Sequence, residues 1–207
     1  MSTTGMKKGI KLYFGVLALI ICSCRHTLDA SAYVKYIQDS KNGLKKIMQT
    51  DGWEYAIQYK PYDYILLFES KGKMKKDEVA KRKEEMKGTV WFNISFKRID
   101  GSISPMRYNL TSLEEYNVRL NYFLNEAQKE IVLVYGKDTL RPNAYLFENN
   151  YNLTPQETIV VGFTLPRNEE RPRSDMLLSY NDPLFKNGII KMNYTQQAIS
   201  SIPNLIY

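Results

Sequence analysis

Trp53-Glu54-Tyr55-Ala56-Ile57-Gln58-Tyr59 alternates large side chains with mostly polar ones, the two-residue period of a strand with one face buried and the other wet. Further along, Thr89-Val90-Trp91-Phe92-Asn93-Ile94-Ser95-Phe96 has β-branched and aromatic residues at strand density. Between them, residues 64–68 form a continuous apolar run of strand length, and Lys60-Pro61-Tyr62-Asp63 reads as a turn or an edge. Residues 53–59 and 64–68 are therefore expected to be antiparallel neighbours. Residues 131–135, the turn Gly136-Lys137-Asp138 and residues 143–147 read as a hairpin. Strands are also expected at 158–165, ended by Pro166, at 176–180, and at 189–194 beyond the turn Asn181-Asp182-Pro183.

One amphipathic helix stands out near 112–127. Ser112-Leu113-Glu114-Glu115 matches a capping box, and Leu113, Tyr116, Leu120, Phe123, Leu124 and Ala127 follow at helical spacing. Such a stripe predicts a helix packed on a sheet face. Residues 33–37 read as a first strand or a short helix. Residues 71–87 carry Lys71, Lys73, Lys75, Lys76, Lys81, Arg82, Lys83 and Lys87 against Asp77, Glu78, Glu84 and Glu85, with too little apolar surface for a core. A solvated helix or a charged hairpin loop is expected there. Many short strands with one good helix predict a mostly β domain over 33–207, an antiparallel β-sandwich of immunoglobulin-like or transthyretin-like kind.

The amino-terminal segment has a different logic. Lys7, Lys8 and Lys11 precede ten uncharged, mostly apolar residues, 12–21, in the layout of a signal peptide. Ten helical residues span roughly 15 Å, half of a bilayer's ~30 Å hydrocarbon core, so a permanent membrane span is disfavoured. The segment ends Ile21-Cys22-Ser23-Cys24, with an aliphatic residue three before Cys24 and a small one directly before it. Here the chain resembles the bacterial lipoproteins, whose signal ends in such a lipobox. The resemblance implies a signal peptide over 1–23, diacylglycerol on the Cys24 thiol, acylation of the new amino terminus, and a lipidated tether over 24–32. Two or more acyl chains hold a protein to a membrane stably where one does not. In some bacteria an aspartate after that cysteine retains lipoproteins at the inner membrane; Arg25 here implies the outer membrane. The segment Arg25-His26-Thr27-Leu28 lacks the acidic cluster that sends lipoproteins to the surface in some Gram-negative lineages. The domain is therefore expected to face the periplasm, with the cell surface as the alternative.

Removal of the signal takes three lysines and no acids, leaving 26 basic residues against 22 acidic ones, about +4 in place of +7. That excess gives little reason to expect nucleic-acid binding. With Cys22 discarded, Cys24 acylated and His26 the only histidine, neither a Ser-His-Asp triad, a Cys-His pair nor a His/Cys zinc site is expected in the domain, and no cofactor is. Glu54, Asp63 and Glu69 are the candidates for a carboxylate-dependent hydrolase.

Sixteen tyrosines and two tryptophans are the richest unusual content. They either fill a core, anchor a protein interface or stack on sugar rings, and Trp53, Tyr55, Tyr59, Tyr62 and Tyr64 are the candidate binding aromatics. Asp138-Thr139-Leu140 is similar to the acceptor pattern of a periplasmic O-glycosylation system of some Gram-negative bacteria, which singles out Thr139. The expected function is a non-enzymatic, membrane-anchored envelope lipoprotein that binds another envelope protein as an accessory or assembly subunit. The alternatives are a carbohydrate-binding surface lipoprotein and the carboxylate-dependent hydrolase.

Overall fold

A computed structural model describes residues 26–207 except 71, 72, 74 and 152. The signal segment, Cys24 and Lys71 lie outside the described residues. In chain order the elements begin with β1 (Thr27–Leu28), α1 (Ala30–Gln38), β2 (Lys45–Thr50), β3 (Trp53–Lys60), α2 (Tyr62–Glu69), α3 (Lys76–Met86) and β4 (Thr89–Arg98). Then come α4 (Leu113–Asn121), β5 (Ile131–Tyr135), β6 (Asp138–Leu140), β7 (Ala144–Glu148) and β8 (Gln156–Thr164). The chain closes with β9 (Met176–Asp182), β10 (Gly188–Tyr194), α5 (Gln196–Ser200) and β11 (Asn204–Leu205).

Two antiparallel sheets, ordered β2-β3-β4-β8-β7 and β10-β9-β5-β6, form the expected β-sandwich. An immunoglobulin domain divides its first three long strands between its sheets; here β2, β3 and β4 are a meander in one. The inward residues on β3 are those the alternation marked, Trp53, Tyr55, Ile57 and Tyr59, and on β4 they are Val90, Phe92, Ile94 and Phe96. Tyr194 of β10 crosses the interface, its ring 5.2 Å from that of Phe92 and its hydroxyl donating to the Ile57 carbonyl at 2.7 Å. Burying so many rings across one interface is the main source of stability in a domain without disulfides.

Several expectations change. Residues 64–68 are not a strand but the middle of α2, because a five-residue apolar run has no period with which to distinguish the two. The neighbour of β3 is β2, joined through Asp51 and Gly52 at φ of 46° and 78°, a two-residue turn with both residues left-handed. The expected hairpin is also redrawn: β5 turns through Gly136 and Lys137 into β6, whereas β7 crosses to the other sheet beside β8. Residues 33–37 are helical in α1, which Asp29 caps by accepting from the Ala32 amide at 2.9 Å. The tether expected through residue 32 is shorter, since β1 pairs in parallel with β11 from Thr27. Residues 76–86 form the solvated helix, α3, with only Val79 buried.

The helix near 112–127 has its cap, the Glu115 amide donating to Ser112 Oγ at 3.1 Å and the Glu115 carboxylate accepting from the Thr111 amide at 2.7 Å. Its stripe does not hold to the end. After Asn121 the chain makes a π-turn, Tyr122–Glu126, and a 3₁₀ turn, Ala127–Glu130. The wider turn rotates the apolar face, so Phe123 and Ala127 are buried while Leu124 faces solvent; Leu113, at the first position of α4, is exposed as well.

Strand register gives the sandwich two ends. Lys60 pairs with Trp91, and Thr89 with Thr164, at the end that carries α2, α3 and the β1–β11 pair. Trp53 pairs with Arg98 at the other end, where the 51–52 turn and the loops 99–112, 149–155 and 183–187 gather. Ten residues of β4 at ~3.3 Å each put these ends roughly 30 Å apart.

Candidate functional site

The candidate binding aromatics are core residues. Trp53, Tyr55, Tyr59, Tyr62 and Tyr64 are all at most 9% exposed. Trp53 stacks on Phe185 at 4.0 Å, Tyr59 meets Phe92 edge-on, and the Tyr62 hydroxyl donates to the Thr89 carbonyl at 2.9 Å. Burial pushes the Tyr62 phenol up to about 12. Tyr64 accepts from the Gln38 amide at 3.0 Å, and Tyr55 donates to Asp182. These rings cannot form an exposed sugar platform: strand alternation turns Trp53, Tyr55 and Tyr59 inward, and α2 buries Tyr62 and Tyr64. Trp91, on the outer face of β4, lies over Gly162, where a Cβ would come within 3.0 Å of its ring.

The three candidate carboxylates stay apart. Glu54 is paired with Lys97 at 3.2 Å and Glu69 with Arg82 at 3.3 Å. Asp63 is buried and is held by Lys83 at 2.5 Å and by the Tyr207 hydroxyl at 2.6 Å. Each acid has its own partners, and no two of them share one. Among the described residues no three His, Cys, Asp or Glu side chains gather as a metal site, and no helix is long and apolar enough to cross a membrane. Thr139 is exposed, on β6 and not in the turn before it.

The feature that sequence reasoning missed is a groove at the far end. It encloses about 550 Å³ and is lined by Ile103, Arg107, Leu110, Leu113, Tyr116 and Tyr151 with Thr111 and Ser112. Leu113 is 75% exposed and Tyr151 76%, and Leu153 in the same loop is 85% exposed. No protein-family model, curated protein or solved structure matches this chain. The groove therefore has to be read from its own residues: apolar side chains in open contact with water, Arg107, and Thr111 and Ser112, whose hydroxyls are engaged in the cap of α4. Such a surface lowers its free energy by covering itself with another apolar surface.

Its walls are pinned from behind. Ser104 Oγ donates to Glu157 on β8 at 2.8 Å and accepts from the Met106 amide at 3.1 Å. Arg119 of α4 donates to the carbonyls of Pro105 and Tyr108, both at 2.7 Å, and lies 5.3 Å from the Phe185 ring. Arg98 lies over Trp53 and Tyr108 at 5.4 and 4.9 Å, bracing the same loop.

Glu157 is fully buried and its Oε2 has no hydrogen-bond partner, so burial raises its pKa above the ordinary 4.5 against the pull of Ser104. The native state then keeps a proton that the unfolded chain releases. Its contribution to stability is present below the unfolded pKa and is lost as pH rises through the raised folded value. Glu157→Gln is accordingly expected to remove that decline. Urea midpoints of both proteins from about pH 4 to about pH 8 measure it; an unchanged difference across the range would contradict the assignment.

Proposed function

We propose that this chain is a lipid-anchored protein of the bacterial envelope, held in the outer membrane and facing the periplasm, whose domain presents the far-end groove to a protein partner. Binding, not catalysis, is its role. The observation that carries this reading is the exposure of Ile103, Leu113 and Tyr151 around the groove. Large apolar side chains grouped around one concavity mark an interaction site more often than isolated ones do. Placement supports it too: the chain enters the domain at Thr27, at the opposite end of the sandwich, so an anchored domain offers its partner the groove and not the tether. The burial of the five candidate aromatics removes the main support for a carbohydrate-binding reading.

The test is site-specific photocrosslinking in cells. A photoreactive residue at position 113 and another at 151 should trap the same protein, and one at Lys191, exposed on β10, should not. Leu113→Asp with Tyr151→Ser should abolish the adduct formed from position 110 while changing unfolding stability by less than about 0.5 kcal/mol, as exposed positions usually do. Adducts that differ between 113 and 151, or that persist in the double variant, would remove the groove from consideration.

A further inference from the structure

We infer that the lysine cluster around the start of α3, Lys73, Lys75 and Lys76 with Lys81, rests on anionic lipid headgroups and so fixes the direction in which the anchored domain points. The inference rests on the lipid-anchor reading of Cys24 and goes beyond it.

Reach comes first. The Asn204 amide donates to the His26 carbonyl at 3.1 Å and the Ile206 amide to the Leu28 carbonyl at 2.9 Å, so the backbone is fixed to the domain from His26 onward. Cys24 precedes Thr27 by three residues. At no more than ~3.6 Å per residue they span about 10 Å, close to one Debye length in physiological salt. Side chains around the β1–β11 pair are thus within electrostatic range of the headgroups whenever Cys24 carries lipid.

The neighbour of that pair is α3. Residues 204–207 share a cleft with Lys76, Val79, Ala80 and Lys83, the i, i+3, i+4, i+7 stripe of that helix. Not all its charge is available: Lys83 is neutralised by Asp63, Arg82 by Glu69 and Glu85, and Lys87 by Glu84. Lys73, Lys75, Lys76 and Lys81 are exposed, and no ion pair holds them among the described residues. Against these four stand Asp77 and Glu78, and Glu78 is engaged by the Lys75 amide at 3.1 Å. Arg82 meets two acids with one charge, so the four lysines outweigh the three remaining negative charges by one, and clustered lysines beside a lipid anchor are attracted to an anionic leaflet. Ile206, exposed next to the cleft, adds an apolar side chain at the same level. With this end held down, the groove roughly 30 Å away points off the membrane.

The experiment uses the full chain, matured and lipidated, reconstituted in vesicles of phosphatidylethanolamine with or without phosphatidylglycerol. A fluorophore is attached at Ala80→Cys beside the patch, or at Leu153→Cys at the far end, and is quenched by a nitroxide on the lipid headgroup. Quenching at position 80 should rise about twofold or more with phosphatidylglycerol, fall back in high salt, and be lost in the K73Q/K75Q/K76Q/K81Q variant, whose circular dichroism should match the parent. Position 153 should stay unquenched throughout. Quenching at 80 that ignores phosphatidylglycerol and the four substitutions, in protein whose amino-terminal peptide carries lipid by mass spectrometry, overturns the docking and leaves the anchor standing. An unmodified Cys24 peptide overturns both.

Discussion

Asp182→Ala is expected to destabilise the domain by about 3–5 kcal/mol, because the aspartate is the hub of a buried polar group at the far end of the sandwich. Asp182 is 1% exposed. Its Oδ2 accepts from the Tyr55 hydroxyl and from Asn187 Nδ2 at 3.2 Å, its Oδ1 accepts from the Phe185 amide at 3.1 Å, and Asn187 also donates to Tyr55 at 2.6 Å. Alanine leaves a phenol, an amide N–H and a carboxamide short of partners, and a buried unsatisfied donor costs about 1–3 kcal/mol. Burial, with Asp182 adding to it, holds the Tyr55 phenol far above its usual pKa, so it remains a donor throughout the accessible range. Tyr55→Phe, which removes one partner, should cost less than the alanine change, about 1–2 kcal/mol. Urea unfolding measures both, and a loss under about 1 kcal/mol for Asp182→Ala would mean that the hub is not one. The effect should reach the groove: the 183–187 loop stacks Phe185 on Trp53, and Phe185 in turn seats Arg119, which holds the loop forming one wall.

A loss of similar size is expected for Phe123→Ala. Phe123 lies in the π-turn, between Phe96 of β4 at 5.3 Å and Phe147 of β7 at 4.8 Å, stacked on both. Truncating a fully buried phenylalanine costs about 3–5 kcal/mol through lost burial and the cavity left behind. In a domain of this size that corresponds to a fall in melting temperature of roughly 10 °C. Leu124→Ala next door is the control: Leu124 is about half exposed, and its replacement should cost less than about 0.5 kcal/mol. Equal shifts for the two would mean that the apolar face runs through Leu124 after all. Since α4 carries Leu113 and Tyr116 into the groove, loosening its last turn should also weaken crosslinking there.

What could be read in advance follows the physics of pattern. β3 was legible because strict alternation has one structural meaning, β4 because β-branched and aromatic residues crowd it, and the Ser112 cap because it is local. The α2 helix was not: residues 64–68 carry no period, and the better clue lay upstream, where Asp51-Gly52 is the strongest two-residue hairpin signal in the segment. The π-turn was hidden because an inserted residue in a helical turn leaves no mark in spacing that continues to look regular. β7 was assigned to the wrong partner because sequence distance favours the nearest strand, while long-range burial decides which sheet receives it. Tyrosine richness left core, interface and sugar platform open, and burial of Trp53, Tyr55, Tyr59, Tyr62 and Tyr64 selects the core. The groove was overlooked because two of its apolar residues, Ile103 and Tyr151, sit in segments dense in Gly, Ser, Pro and Asn that read as solvated loop. An apolar residue of that size in a turn-rich segment is itself the signal.

The β1–β11 pair has a consequence for the order in which the molecule is assembled. Thr27 is matched with Asn204 and Leu28 with Leu205, so the earliest structured residues of the chain wait for nearly the latest before they can pair. The meander of β2, β3 and β4 has only local contacts to make and is free to form early, but the clasp joins contacts of the highest sequence separation in the domain and can close only when the carboxyl end has arrived. Closure of the clasp is therefore the last pairing open to the domain, and a chain still lacking its final residues leaves Thr27 and Leu28 without their strand partners.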